Sequence, residues 1–251
     1  MKERSFSISV DHLRCRISQT FRLDAAVERD RQAIWEGLVA RNPSAFDGPM
    51  LRLSDCTIDA EGWLVVSGEA TSFSAYVATR HPGFTEAYPH AARADPLGLT
   101  AVVLTSDDQV IVTVRSLSAD QNPGALYLVG GYAEPGDIPG TVDLFQDVAR
   151  EIDEELAVGD LRRAASYAIG IAYDPVFCHP ELFVLTVSGS TAADILSTSA
   201  GARDRDEAAQ IFACALDAFL HADGPLADRP LTWSFVEARR FLNDHLARMS
   251  D

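Results

Sequence analysis

The chain is short of positive charge. Its 251 residues carry 21 Lys and Arg against 37 Asp and Glu, for a formal net charge of −16. Gripping a polyanion takes Lys and Arg, so nucleic acid is not an expected partner. Cysteine is scarce and scattered: Cys15, Cys56, Cys178 and Cys214 form no C-x-x-C pair. That excludes a disulfide framework and makes free thiols in a reducing compartment the expectation. The six histidines do not cluster. His179, in Cys178-His179-Pro180-Glu181, therefore reads as structural rather than as part of a Cys/His metal site. No apolar run approaches the ~20 residues needed to span a bilayer, and Met1-Lys2-Glu3-Arg4-Ser5 leads into no run of signal length. The expected protein is cytoplasmic, with no membrane partner. A nucleophile elbow, a Walker loop, a dinucleotide fingerprint, internal repeats and low-complexity tracts are all missing.

What is present is concentrated in one segment. Gly130-Gly131-Tyr132-Ala133-Glu134-Pro135-Gly136-Asp137 is followed, twelve residues later, by Arg150-Glu151-Ile152-Asp153-Glu154-Glu155-Leu156. At 100° per residue, Phe145, Val148, Ala149, Ile152 and Leu156 form an apolar stripe, with Asp147, Glu151, Glu154 and Glu155 beside it. Like charges at i, i+3 and i+4 repel. A helix that keeps them is explained by a divalent cation, and all-oxygen ligands point to a hard ion, Mg²⁺ or Mn²⁺. Gly130 and Gly131 allow close backbone approach, and a carbonyl of such a turn can complete a metal shell.

These residues resemble the Nudix box, in which a glycine, a glutamate-bearing loop and an Arg-Glu-x-x-Glu-Glu helix follow in order. Gly131, Arg150, Glu151, Ile152, Glu154, Glu155 and Val158 match. Asp137 stands for the usual glutamate, Ala157 for the usual glycine, and twelve residues replace seven before the arginine. The insertion, 138 to about 142, contains Pro139-Gly140 and reads as a widened loop. Patches at Ala33-Ile34-Trp35-Glu36, Asn42 to Pro49, Leu51-Arg52-Leu53, Thr71-Ser72-Phe73 and Ala94 to Gly98 resemble the UDP-glucose/UDP-galactose pyrophosphatase subgroup.

The resemblance implies a Nudix-type α/β/α sandwich with a mixed sheet, at about 94–251. A small strand-rich extension with one helix, 1–93, would precede it. It implies Mg²⁺ held by Glu151, Glu155 and Glu154 with the Gly131 carbonyl. Arg150 would orient the glutamates, and Glu154 is a candidate base as well as a ligand. Glu207, ahead of a late strand, is a further catalytic candidate. Arg115, Glu134, Phe73 and Tyr173 are candidates for touching substrate. The implied partner is a small nucleotide sugar, cleaved to UMP and sugar 1-phosphate by a monomer or homodimer. ADP-ribose or a dinucleoside polyphosphate is the rival substrate, and a non-catalytic nucleotide-sugar sensor is the rival function.

Periodicity fills in the remainder. Ser5 to Val10 and Leu13 to Ile17 alternate as paired strands do, and Asp24 to Val39 reads as a capped helix. Met50 to Leu53, Cys56 to Ile58 and Trp63 to Gly68 read as short strands. Residues 80–96 read as loop and boundary. Leu97 to Leu104 and Val110 to Val114 read as a hairpin around Ser106-Asp107-Asp108.

Overall fold

The computed structural model describes residues 3–119 and 121–250. Among them, twelve strands build two sheets, of eight and four strands. In chain order the first elements are β1 (Arg4–Ser9), β2 (Leu13–Thr20), α1 (Ala25–Arg41), β3 (Pro49–Ile58), β4 (Leu64–Ser72), α2 (Phe73–Thr79) and α3 (Phe84–Ala87). Next come β5 (Gly98–Leu104), β6 (Gln109–Arg115), β7 (Leu126–Tyr127), β8 (Gly130–Tyr132), β9 (Gly140–Val142) and α4 (Leu144–Leu156). The chain continues through β10 (Tyr167–Asp174), β11 (His179–Val187), α5 (Ala192–Thr198), β12 (Ala208–Ala215), α6 (Leu216–His221) and α7 (Trp233–Ser250).

The large sheet runs β1-β10-β11-β5-β6-β12, with β8 on β5 and β7 on β6. It is mixed: β11 and β5 are parallel, while β10 and β11 are antiparallel. Alternation along β5 sends Leu99, Ala101 and Val103 to one face and Val102 to the other. The first face is covered by α4, through Leu144, Val148, Ile152 and Leu156, by Ile195 of α5 and by the small sheet. The second is covered by α6 and α7, through Phe219, Phe235, Phe241 and Leu242. This is the Nudix-type α/β/α sandwich with a mixed sheet.

Several local readings change in three dimensions. β1 and β2 do not pair with each other. β1 adds to β10 of the large sheet, and β2 lies between β4 and β9 in the small one. The alternation in both segments is the same whichever neighbour they find, which is why it does not name the partner. The inserted segment is not simply a widened loop: Gly140, Thr141 and Val142 pair with Ile17, Arg16 and Cys15. Strands thus cross the expected 93/94 boundary in both directions. Residues 50–53 and 56–58 are one strand interrupted by a register shift between Leu53 and Asp55. The β5–β6 hairpin shares only the Leu104–Val110 pair, because β8 and β7 take the remaining edges and prise the strands apart.

The N-terminal region holds two further short helices. The first, α2, is capped by Ser72 and tied down by Asp47, which accepts from the Ser74 amide at 2.7 Å. No helix among the described residues is long and apolar enough to cross a membrane.

Candidate active site

Helix α4 owes its position to its two stripes. Asp143 caps it by accepting from the Phe145 amide, and the apolar stripe is buried on the sheet. The opposite stripe turns toward β7 and β8. At its end Ala157 adopts the left-handed conformation, φ 55° and ψ 44°, where the family pattern has glycine.

The β5–β8 ladder sets the glycines against this helix. Gly131 lies opposite Leu99 and Gly130 opposite Thr100. A Cβ built on Gly131 would stand 2.3 Å from the carboxyl carbon of Glu151, so glycine is what lets that carboxylate reach the backbone. Glu155 goes deeper, at 5% exposure. One of its oxygens accepts from the Gly130 amide at 3.2 Å and the other from the Tyr127 hydroxyl at 2.5 Å. Burial pushes the Glu151 carboxyl up to about 7 and the Glu155 carboxyl up to about 8, with neighbouring carboxylates adding to the effect. Asp147 rises to about 6, again chiefly through burial.

Arg150 sits at the hub of the acidic stripe. Its guanidinium lies 3.0 Å from Glu151, 3.3 Å from Glu154 and 3.4 Å from Glu134. Glu154 is also held at 2.5 Å by Arg203, from the loop before β12. It is therefore engaged by two guanidinium groups and does not line the cleft, unlike Glu151.

The cleft is about 640 Å³ in volume and brings together Gly130, Gly131, Glu134, Glu151, Arg115, Glu207 and Phe73. Arg115 lies over the Tyr127 ring at 4.6 Å, and its Nε is buried without a hydrogen-bond partner among the described residues. Glu207 is raised by burial, and the positive charge of Arg115 works against that rise. Phe73 meets Trp35 edge-on at 5.9 Å. Tyr173 does not line the cleft. Its hydroxyl donates to Asp95 at 2.9 Å.

The donors present suit a hard cation. Glu151 and Glu155 offer carboxylate oxygens, Gly131 a backbone carbonyl, and two desolvated acids with raised proton affinity are relieved by positive charge. Among the described residues no three His, Cys, Asp or Glu side chains form a ready cage. Mg²⁺ does not demand one, since it keeps several waters and commonly takes one or two carboxylates.

Three residues of the cleft lie outside the candidates the sequence offers: Tyr127, Glu181 and His179, the last of which reads there as structural. Tyr127 sits in the short strand before the glycines, and nothing in Leu126 to Val129 marks its hydroxyl. Glu181 and His179 line the cleft floor. Their signal is a polar pair entering the apolar strand Leu182 to Val187.

Fold and glycine-carboxylate geometry together resemble those of Nudix hydrolases, and in sequence the chain is similar to UDP-glucose pyrophosphatases. It is 30% identical over 168 residues to the bovine uridine diphosphate glucose pyrophosphatase NUDT22, covering 56% of this chain and 58% of that protein. It is 24% identical over 231 residues to Nudix hydrolase 9 of Arabidopsis thaliana, covering 78% and 74%. The chain thus spans a little over half the length of the bovine relative. No family model matches the chain. The MutT protein of Methanosarcina mazei Go1 superposes with a TM-score of 0.41 at 17% identity, over 62% of this chain and 95% of that one.

Proposed function

We propose that the protein is a Mg²⁺-dependent pyrophosphatase that hydrolyses a nucleoside diphosphate sugar, UDP-glucose or UDP-galactose. Water adds to one phosphorus, the bridging P–O–P bond breaks, and UMP and sugar 1-phosphate leave. The observation that carries the reading is the approach of Glu151 to the backbone of Gly131, beside a second, buried carboxylate at Glu155.

Glu151, Glu155 and the Gly131 carbonyl would hold the cation. When bound, it supplies charge neutralisation on the diphosphate and a lowered pKa for the attacking water. Arg150 fixes the direction of Glu151 through a charge-assisted contact. Arg115, with an unmatched Nε beside the cleft, would pair with a phosphate oxygen. Glu207 would accept the proton of the attacking water from the wall that also carries Arg115. Glu154, held by Arg150 and Arg203, would act through the position of Arg150. Glu134 would meet the phosphates' hydration shell, and Phe73 would offer a face to the base. The similarity to a uridine diphosphate glucose pyrophosphatase supports the choice of nucleotide and sugar.

The test is direct. The protein is incubated with UDP-glucose, UDP-galactose, ADP-ribose and diadenosine polyphosphates, with and without Mg²⁺, and the products are identified. UMP and hexose 1-phosphate formed only with metal is the expected result. Preferential cleavage of ADP-ribose would sink the substrate assignment. No turnover of any of them would leave a sensor instead.

A further inference from the structure

The floor of the cleft holds a buried polar pair that the hydrolytic step leaves without a role. Glu181 and His179 of β11 keep 9% and 8% of their side chains exposed, yet both line the cleft. The Thr100 hydroxyl donates to Oε1 of Glu181. Oε2 faces Nε2 of His179 at 3.5 Å, longer than a well-formed hydrogen bond. The other ring nitrogen of His179 lies 3.1 Å from the Tyr76 hydroxyl, which donates to the Phe177 carbonyl at 2.7 Å. The imidazole is thereby fixed, with Tyr76 and Tyr132 both edge-on to it.

Glu181 is left with acceptor capacity to spare. A carboxylate has about four lone-pair sites, and Thr100 fills one well. Burying such a group costs stability that an apolar side chain would not. The neighbouring backbone also keeps room for it. Glu181 pairs with Gly98 across the β11–β5 ladder, and a Cβ there would come within 3.1 Å of the His179 ring and 3.2 Å of Glu181. Two residues along, Thr100 lies opposite Gly130, in the turn that receives Glu151 and Glu155. Whatever meets Glu181 therefore adjoins the diphosphate position. A carboxylate repels phosphate, so its ligand must be a donor, and the donors next to a diphosphate in a nucleotide sugar are hydroxyls.

We propose that Glu181, held by Thr100 and His179, accepts hydrogen bonds from the hydroxyls of the sugar joined to the diphosphate. It thereby selects nucleotide sugars over nucleotides that end in phosphate. The proposal rests on the hydrolase reading for the placement of the diphosphate. The selection follows because a buried acceptor rejects a ligand that brings no donor.

Calorimetry with UDP-glucose and with UDP, in Ca²⁺, would compare wild type with Glu181→Gln and Thr100→Val. Turnover would be followed separately in Mg²⁺. Wild type should bind UDP-glucose at least about 10-fold more tightly than UDP. Glu181→Gln should weaken UDP-glucose by about 10- to 100-fold and leave UDP unchanged, while Thr100→Val should act in the same direction and less. Equal affinity of the wild type for the two ligands overturns the proposal whether or not the variants fold. So does an equal loss of both ligands in Glu181→Gln. Sugar-dependent binding without turnover would retire the hydrolase and keep this site. Turnover with sugar-independent binding would do the reverse.

Discussion

Tyr127 donates its hydroxyl to Glu155 at 2.5 Å across 28 residues of sequence, with both side chains buried. The bond joins the strand before the glycine turn to the last turn of α4. It holds in one direction the deepest carboxylate of the candidate site. Tyr127→Phe should keep the fold and cost about 1–2 kcal/mol, the scale of one buried partner left unsatisfied. Under the proposed activity kcat should fall by about 10-fold with KM little changed, because a cation ligand would be mispositioned. Wild-type kcat in a stable Tyr127→Phe protein would remove Tyr127 from the site.

Glu155→Gln should lower turnover by orders of magnitude with the fold intact, since a ligand to a catalytic cation would be lost. Steady-state kinetics beside a thermal melt would check it. Near wild-type turnover would remove the proposed cation site.

The two glycines should separate folding from function. On Gly130 a Cβ would meet the Leu99 carbonyl oxygen at 2.3 Å, a backbone atom that cannot yield. Gly130→Ala should therefore destabilise strongly. On Gly131 the obstacle is the carboxyl end of Glu151, which can swing away. Gly131→Ala should melt close to wild type and lose nearly all activity. The opposite pattern in melting temperature would show that the ladder is misassigned.

Stability should depend on pH in an unusual direction. Burial raises Glu155 from 4.5 to about 8 and Glu151 from 4.5 to about 7, so the folded chain holds these protons more tightly than the unfolded one. Their contribution is full below about 4.5 and is lost as pH climbs through 7 and 8. Metal-free protein should thus lose melting temperature between pH 5 and pH 8, and Mg²⁺ should restore it most at the alkaline end. A metal-free melting temperature that rises across that range would contradict the burial of these acids.

Ala157→Gly should stabilise. The left-handed conformation at a helix end costs a residue with a Cβ about 1 kcal/mol, and glycine is free of that cost. A melting temperature that does not rise would mean that the Ala157 methyl makes a compensating contact.

Much of α4 was legible because one residue type repeats at the helical period and the glycine turn precedes it. The burial of Glu155 was not. On the helical wheel it lies between Glu151 and Val148, on the border of the two stripes, and only the Tyr127 and Gly130 partners, distant in sequence, decide which side it takes. The insertion read as loop because a three-residue strand leaves no periodic trace, and its partner β2 lies over 120 residues upstream. Tyr173 is a candidate for touching substrate by residue type, but it lies outside the cleft lining, with its hydroxyl on Asp95, a contact 78 residues away. Helix α2 leaves no clear sign in the sequence because it follows strand β4 with no intervening loop, and the Ser72 cap alone marks the change.

The addition of β1 to β10 decides how the chain can be shortened. A fragment beginning near residue 94 would keep every residue of the acidic helix and the glycine turn. It would also leave the amides and carbonyls of β10 open along a flank that Arg4 to Ser9 now occupy. Such an open flank is a template for another chain. The trimmed protein should therefore form sheet-to-sheet assemblies or precipitate, and would not yield a smaller working unit.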